Sequence, residues 1–330
     1  MHSDDRDDWL AYLLRSQDER TGLFVDPCYQ RQQRERGACP EPLFLWQTSC
    51  AINAALTVLG GQPNFPIDAI RPLMEKAEVL AWLECLPWKD KPHIAASWVF
   101  HFASLGGTNL RCGHSPQILS LLPHVFRWLE EIQDPETGFW GWSSDVSPQH
   151  TLIATHSIAE VYWLFGRETP RSEEVLSHAL AMQQREGHFG GSHHADFSGI
   201  DLAVTLSHHT DKMYETMMFA MERSLLWLLG CQSQSGGFLS ATEGREHQRF
   251  GWSMCHAATG QADIWSTLLR MMGLARVDDV MPGAIFETVA WKAHGAFFHG
   301  IRKSQIATTS RVRKAEDGER KRAEISTIAH

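Results

Sequence analysis

Long apolar stretches separated by polar turns dominate the pattern of this chain. Stretches that are apolar on nearly every side predict buried helices, and they fall at residues 48–60, 94–106, 155–166, 200–208 and 263–275. The stretches that precede them, such as residues 125–132, are amphipathic and predict helices with one solvated face. Strand-like alternation of useful length is absent from the sequence. The pattern therefore predicts an all-α chain, more than half helical and without a sheet.

A short turn motif recurs along this pattern. It consists of a Gln, a few polar residues, a Gly and then an aromatic residue, and its copies begin at Gln17, Gln133, Gln183 and Gln232. The wide gap after the first copy leaves room for a degenerate copy near residues 82–88. The glycine permits a sharp turn, and the aromatic residue is expected to pack under the neighbouring helix pair. A recurring unit of this kind is typical of a helical repeat protein.

Each turn joins an amphipathic helix to an apolar one, which gives about five to six helix pairs. Such pairs cannot bury their apolar faces alone, so they stack on one another. Buried second helices and half-solvated first helices indicate an inner and an outer ring around a cavity, an α/α toroid. We expect Phe139, Phe189 and Phe238 to be buried between neighbouring pairs. Residues 1–301 then form the toroid domain, including a final helix around residues 285–298, and the charged segment 302–330 is predicted to be disordered.

The turns resemble the Q-W repeats of squalene–hopene cyclases and the G-G-F/L repeats of protein prenyltransferase β subunits. The resemblance covers roughly residues 7–275. It implies the toroid fold and an apolar, isoprenoid-like substrate in a central cavity.

The catalytic signatures of these families are not intact in this chain. Where the cyclases carry an Asp-x-Asp-Asp motif, the segment 196–203 offers Asp196 and Asp201 at a different spacing. Where the prenyltransferases hold zinc with Asp-x-Cys and a later His, Asp263 stands without the Cys or the His. The Cys-His pair of the toroid lanthionine cyclases has a counterpart in Cys255 and His256, without that family's flanking glycines.

Three aspartates are nevertheless candidate catalytic acids: Asp196, Asp201 and Asp263. In a toroid they would approach the mouth of the cavity from the starts of inner helices. The positive end of a helix dipole favours the ionised carboxylate, whereas apolar walls favour the protonated acid. The structural alternative is that these residues cap the N-termini of their helices.

Candidate substrate-binding residues lie on the same predicted helices. His156 and Glu160 are spaced i, i+4 on an otherwise apolar helix, and their mutual contact is the structural alternative. His194 and His208 flank the segment of the first two aspartates, and Trp252 and Trp265 are candidate walls of the site. His194, Asp196 and His208 are weak candidates for metal ligands, with a solvated loop as the alternative. The sequence requires no cofactor, and a divalent metal remains possible.

Composition narrows the classes of partner. The chain has a formal charge of −9, and the segment 302–330 is itself basic, so the remainder is strongly acidic and nucleic acid is not an expected partner. Apolar runs stay short of the roughly 20 residues that a membrane helix needs. Seven scattered cysteines without a Cys-x-x-Cys pair favour a reducing cytoplasm. The 13 tryptophans are suited to an apolar or cation-stabilising cavity.

Three functions are consistent with these features. The leading hypothesis is an acid-assisted enzyme, a cyclase or a transferase, that acts on an apolar isoprenoid-like molecule. A carbohydrate-active toroid, a lyase or a hydrolase, is the second. A non-catalytic binding protein that kept the fold is the third. The oligomeric state stays open.

Overall fold

The computed structural model describes residues 3–25, 42–207, 213–240, 247–248, 256–257 and 260–281. Most of these residues are helical, which confirms the all-α prediction. Their helices are α1 (Ser3–Leu14), α2 (Pro42–Val58), α3 (Lys76–Cys85), α4 (Pro92–Arg111), α5 (Ile118–Glu131), α6 (Pro148–Leu164), α7 (Ser172–Ala181), α8 (His193–Ser207), α9 (Tyr214–Gly230) and α10 (Ile264–Val280), with a 3-10 helix at Asp68–Leu73. None of these helices is both long enough and apolar enough to cross a membrane.

The five predicted buried helices correspond to the even-numbered helices. They pack in chain order: α2 on α4, α4 on α6, α6 on α8 and α8 on α10. The long central parts of α6 and α8 are buried on all sides, as their apolar sequences predict. Both helices begin seven residues before the predicted positions, at Pro148 and His193. Their first turns contain polar residues, among them Gln149 and His150 of α6 and His193 and His194 of α8, and for this reason the sequence predicted a loop where the helices begin.

The odd-numbered helices cover the buried set. α7 and α9 both contact α8, and α3 contacts α5. α5 is amphipathic, with Leu121, Val125 and Leu129 buried and Leu119 exposed. In the described part of the chain, the predicted division into buried second helices and half-solvated first helices is clearest at α6 and α8, whereas α2 and α10 are buried over only part of their surface.

The repeated turns are built by the glutamine side chain. The Nε2 of Gln133 donates to the carbonyl oxygen of Gly138 at 2.8 Å and to that of Pro170 at 3.0 Å. Gln183 donates in the same way to Gly187 and to Ala220 of α9. The glutamine thus closes its own turn and ties it to the neighbouring helix pair, which explains why this residue recurs.

The glycine of each turn has a backbone conformation that disfavours other residues. Gly187 has a φ of 100°, and a Cβ atom added there would lie 2.2 Å from the carbonyl oxygen of Arg223. Both the positive φ and the close approach require a residue without a side chain.

In three of the turns, the backbone N–H of an aromatic residue donates a hydrogen bond to a side-chain hydroxyl on the next even-numbered helix. Ser49 accepts from Phe24, Thr155 accepts from Trp140, and Thr267 accepts from Phe238. In the third clear copy this position is taken by Asp196, whose Oδ1 accepts from the N–H of Phe189 at 2.8 Å. The carboxylate is therefore the counterpart of the Ser and Thr hydroxyls in the other copies.

The aromatic residues of the turns are buried. Phe139, Phe189 and Phe238 are at most 3% exposed, which confirms the prediction made for them.

One feature departs from the prediction of a chain without a sheet. His247–Gln248 pairs with His256–Ala257 as a two-residue antiparallel ladder. Segments this short carry no periodicity that sequence patterns reveal. Cys255, the predicted helix around 285–298 and the predicted disordered segment 302–330 lie outside the described residues.

Candidate functional site

All five even-numbered helices and the end of α1 line a single cavity of about 870 Å³. This volume lies within the usual range of small-molecule sites, about 300–1,000 Å³. Aliphatic and aromatic side chains form most of the wall, including Leu43, Phe44, Ile52, Ile94, Phe100, Ile153, Phe197, Leu268, Leu269 and Met272. Trp265, predicted from the sequence to wall the site, is also a lining residue.

A histidine and a carboxylate of α6 interrupt the apolar wall. His156 and Glu160 both line the cavity, and both are at least nine-tenths buried. Their i, i+4 spacing puts them on one helix face, and Nε2 of His156 lies 3.9 Å from Oε1 of Glu160. Because α6 packs on α8, the same imidazole reaches Asp201 of α8, with 2.9 Å between Nε2 and Oδ2. The ring of Phe197 lies edge-on to this imidazole.

Asp201 is fully buried in the middle of α8, rather than at a helix start as predicted. Its second oxygen, Oδ1, accepts a hydrogen bond of 2.6 Å from Nε of Arg276 on α10. Arg276 also donates to Thr205 and Asp279. This guanidinium fixes the orientation of the Asp201 carboxylate and, with it, the carboxylate oxygen presented to His156.

The cluster of His156, Glu160, Asp201 and Arg276 is negatively charged overall. The two carboxylates of Glu160 and Asp201 are buried beside the one guanidinium of Arg276, which gives these three groups a formal charge of −1 when the imidazole is neutral. Asp279, the other carboxylate that Arg276 contacts, is 35% exposed. Buried charge of one sign costs free energy unless it is compensated, and a proton on His156 or another cation would compensate it.

Asp196 has a different position from the other predicted acids. It is fully buried but is not among the residues that line the cavity. Besides the turn N–H groups of Phe189 and Gly191, its carboxylate accepts from the indole of Trp227 and from Arg270 of α10, at 2.5 Å for the latter. Four donors hold this carboxylate in place, which favours a structural role for it.

Asp263 precedes α10 as its N-cap. Its Oδ1 accepts from the backbone N–H groups of Trp265 and Ser266, both at 2.9 Å. This is the capping arrangement that the sequence offered as the structural alternative. Ser266 in turn contacts Nδ1 of His193 at 3.1 Å, which joins the starts of α8 and α10.

The remaining predicted residues are only partly described. His194 lies in the first turn of α8 and lines the cavity. His208 and Trp252 lie outside the described residues. The metal set of His194, Asp196 and His208 therefore stays a prediction, and its Asp196 already has four hydrogen-bond donors.

Two arginines and two histidines near the site were not predicted from the sequence. Arg270 and Arg276 supply the partners of the buried aspartates, and the signal for the first was a single Arg within the apolar run 268–272. His93 of α4 and His150 of α6 stack at 3.9 Å between ring centroids, and His93 lines the cavity. Each lies in the first turn of its helix, and no sequence pattern indicates contact between these two histidines, which are 57 residues apart in the chain.

The stacked histidines predict a pH dependence of stability. Burial, and then the neighbouring His150 and Lys91, lower the pKa of His93 from 6.5 to about 4, whereas an unfolded chain titrates near 6.5. Between these values the unfolded state binds more protons, so the free energy of unfolding falls as pH falls through this window. We expect His93→Gln to reduce the slope, measured by urea unfolding between pH 4 and 7. An unchanged slope would contradict the burial of a neutral imidazole.

Comparison of the chain with protein-family models, with curated proteins and with solved structures finds no match.

Proposed function

We propose that this protein is an α/α toroid enzyme that binds an apolar, isoprenoid-like molecule in its cavity and acts on it at the His156–Glu160 wall. The observation that carries the proposal is the cavity itself, an apolar volume of about 870 Å³ with one buried histidine–carboxylate cluster. Helices from the first and the last described pairs, α1, α2 and α10, line this same space. Their shared cavity supports closure of the helix pairs into a ring.

The lining favours an apolar ligand over a polar one. Burial of each CH₂ group of a ligand contributes about 0.8 kcal/mol, and the aliphatic and aromatic side chains of five helices provide the surface for it. A branched hydrocarbon chain fits this chemistry, since most of the exposed surface of the wall is apolar, although polar side chains such as Gln47 and His101 also line it.

The cluster favours positive charge on the ligand. Carboxylates in an apolar site stabilise charge that develops during a reaction more strongly than water does, because they are already oriented. Asp201 is oriented by Arg276, and His156 and Glu160 reach the cavity surface. A developing carbocation, or a protonated substrate, would gain from this negative wall.

The carbohydrate alternative has less support. Glycosidases need two carboxylates that flank the scissile bond. Glu160 is the one carboxylate among the described lining residues, since Asp201 lies behind His156. A non-catalytic binding protein would share the cavity, and turnover distinguishes it from an enzyme.

Filling the cavity tests the proposal. Ala51 lines the cavity from α2, so Ala51→Phe should weaken binding of a C15 isoprenoid alcohol at least about tenfold, or about 1.4 kcal/mol. The matched control is Val58→Phe on the same helix, at a site that is 60% exposed, and it should bind normally. Titration followed by the fluorescence of Trp265 and the other tryptophans gives both affinities.

Three outcomes would contradict the proposal. Equal binding by both variants would mean that the ligand lies outside the cavity. Binding of an oligosaccharide but not of the isoprenoid alcohol would favour the carbohydrate alternative. If the isoprenoid binds and neither its alcohol nor its diphosphate is converted, a binding protein is favoured over an enzyme.

A further inference from the structure

We propose that His156, Glu160 and Asp201 form a binding site for a divalent transition-metal ion, with Zn²⁺ as the best match. The three residues each offer one ligand atom where α6 packs on α8, and these atoms all lie within 4.8 Å of one another. One imidazole nitrogen and two carboxylate oxygens form a ligand set that borderline cations such as Zn²⁺ accept. This site differs from the position of Asp263, where the resemblance to prenyltransferases would put a metal.

The spacing of the atoms suits a metal ion. Ligands bound at about 2.0–2.2 Å from one cation lie roughly 3–4 Å apart. Nε2 of His156 is 2.9 Å from Oδ2 of Asp201 and 3.9 Å from Oε1 of Glu160. Small rotations of these side chains would therefore place all three atoms around one ion, without movement of either helix.

The surroundings of Asp201 also match those of a metal ligand. Groups around a metal commonly orient the ligating carboxylate through its second oxygen. In this protein Arg276 binds Oδ1 of Asp201 at 2.6 Å and leaves Oδ2 directed at His156, while Thr205 holds the guanidinium at 2.8 Å. The ligand is thus oriented before any ion binds.

The position of the site would expose the ion to a ligand. Three protein ligands leave at least one coordination position of a zinc ion open. His156 and Glu160 both line the cavity, so the open position would face the bound molecule. The site would then supply Lewis-acid chemistry, although the metal binding itself does not depend on the proposed isoprenoid ligand.

Calorimetric titration of the metal-free full-length protein with ZnCl₂ tests this inference. We expect one site of high affinity, and Glu160→Gln, which keeps the shape of the side chain, should weaken it at least tenfold. The control is His194→Gln, because His194 also lines the cavity but is not part of the cluster. Normal affinity in His194→Gln would exclude adventitious binding by His194.

A measurement on the unaltered protein covers the case in which Glu160→Gln does not fold. The anomalous scattering of Zn²⁺ in crystals grown with the ion should give a peak between His156, Glu160 and Asp201. A peak elsewhere, the absence of a bound ion, or equal affinity of Glu160→Gln and the unaltered protein would overturn the inference. In that event the cluster binds only protons, and the proposed apolar ligand would still be tested separately by Ala51→Phe.

Discussion

Replacement of Arg270 by Met should lower the free energy of unfolding by about 3–5 kcal/mol, the usual cost of removing one partner of a buried ion pair. Arg270 and Asp196 are both fully buried, and Nη1 of Arg270 lies 2.5 Å from Oδ2 of Asp196. Met fills a similar volume but leaves the carboxylate without its compensating charge. The carbonyl oxygen of Ser240 would also lose the donor that Arg270 provides. Urea unfolding followed by circular dichroism measures the change.

The control for this variant is an exposed ion pair. Arg167 and Glu130 are 3.9 Å apart, and each side chain is nearly half exposed. Arg167→Met should therefore cost about 1 kcal/mol or less. A second comparison adds Asp196→Asn to Arg270→Met, which removes the unpaired charge and should recover part of the loss. If Arg270→Met costs no more than the control, the pair contributes little and Asp196 is held mainly by its other donors.

Replacement of Phe189 by Ala should cost about 3–5 kcal/mol, as for other buried Phe side chains. Phe189 is 2% exposed, and its ring fills the space above Gly199, where a Cβ would lie 2.2 Å from the ring. Truncation would leave a cavity between the third turn and α8. Thermal and urea unfolding both report this loss.

Phe219 provides the matched control for Phe189. It lies on α9 and is 61% exposed, so Phe219→Ala removes the same atoms with little loss of burial. Its effect should stay within about 0.5 kcal/mol. A loss below about 1 kcal/mol for Phe189→Ala would mean that the Gly-aromatic turns are not the structural joints of the repeat.

The sequence predicted the helices better than the site because the two depend on different signals. Helix type follows from the spacing of apolar residues along the chain, and that spacing identified all five even-numbered helices, of which α6 and α8 are buried on all sides. Their first turns were missed where polar residues such as those at 193–196 begin a buried helix, because polarity there reflects hydrogen bonding to neighbours rather than contact with water. Burial of Phe139, Phe189 and Phe238 could be predicted, since the repeat itself requires it.

The site depends on contacts between helices that a single sequence does not reveal. The pair of His156 and Glu160 was predictable from its i, i+4 spacing. Asp201 was also predicted as a site residue, but the reason was its expected position at the start of a helix, and it lies in the middle of α8. Its partnership with His156, 45 residues away, follows from the packing of α6 on α8. Arg276 had no motif at all. Asp196 and Asp263 were likewise equal candidates in the sequence. Their hydrogen-bond donors distinguish them: Asp196 holds a turn and pairs with Arg270, whereas Asp263 caps α10.

The substitution of aspartate for the usual hydroxyl in the third repeat has a consequence for cooperativity. Repeat proteins often unfold from their ends, since each unit contacts only its neighbours. Here the anchor of the third turn is an ion whose compensating charge, Arg270, belongs to α10, the last described helix. If α10 unfolded alone, the Asp196 carboxylate would stay buried in the preceding unit without the positive charge of Arg270. The two units are therefore expected to unfold together. Local opening at this end should then be less frequent than in a protein built of identical repeats.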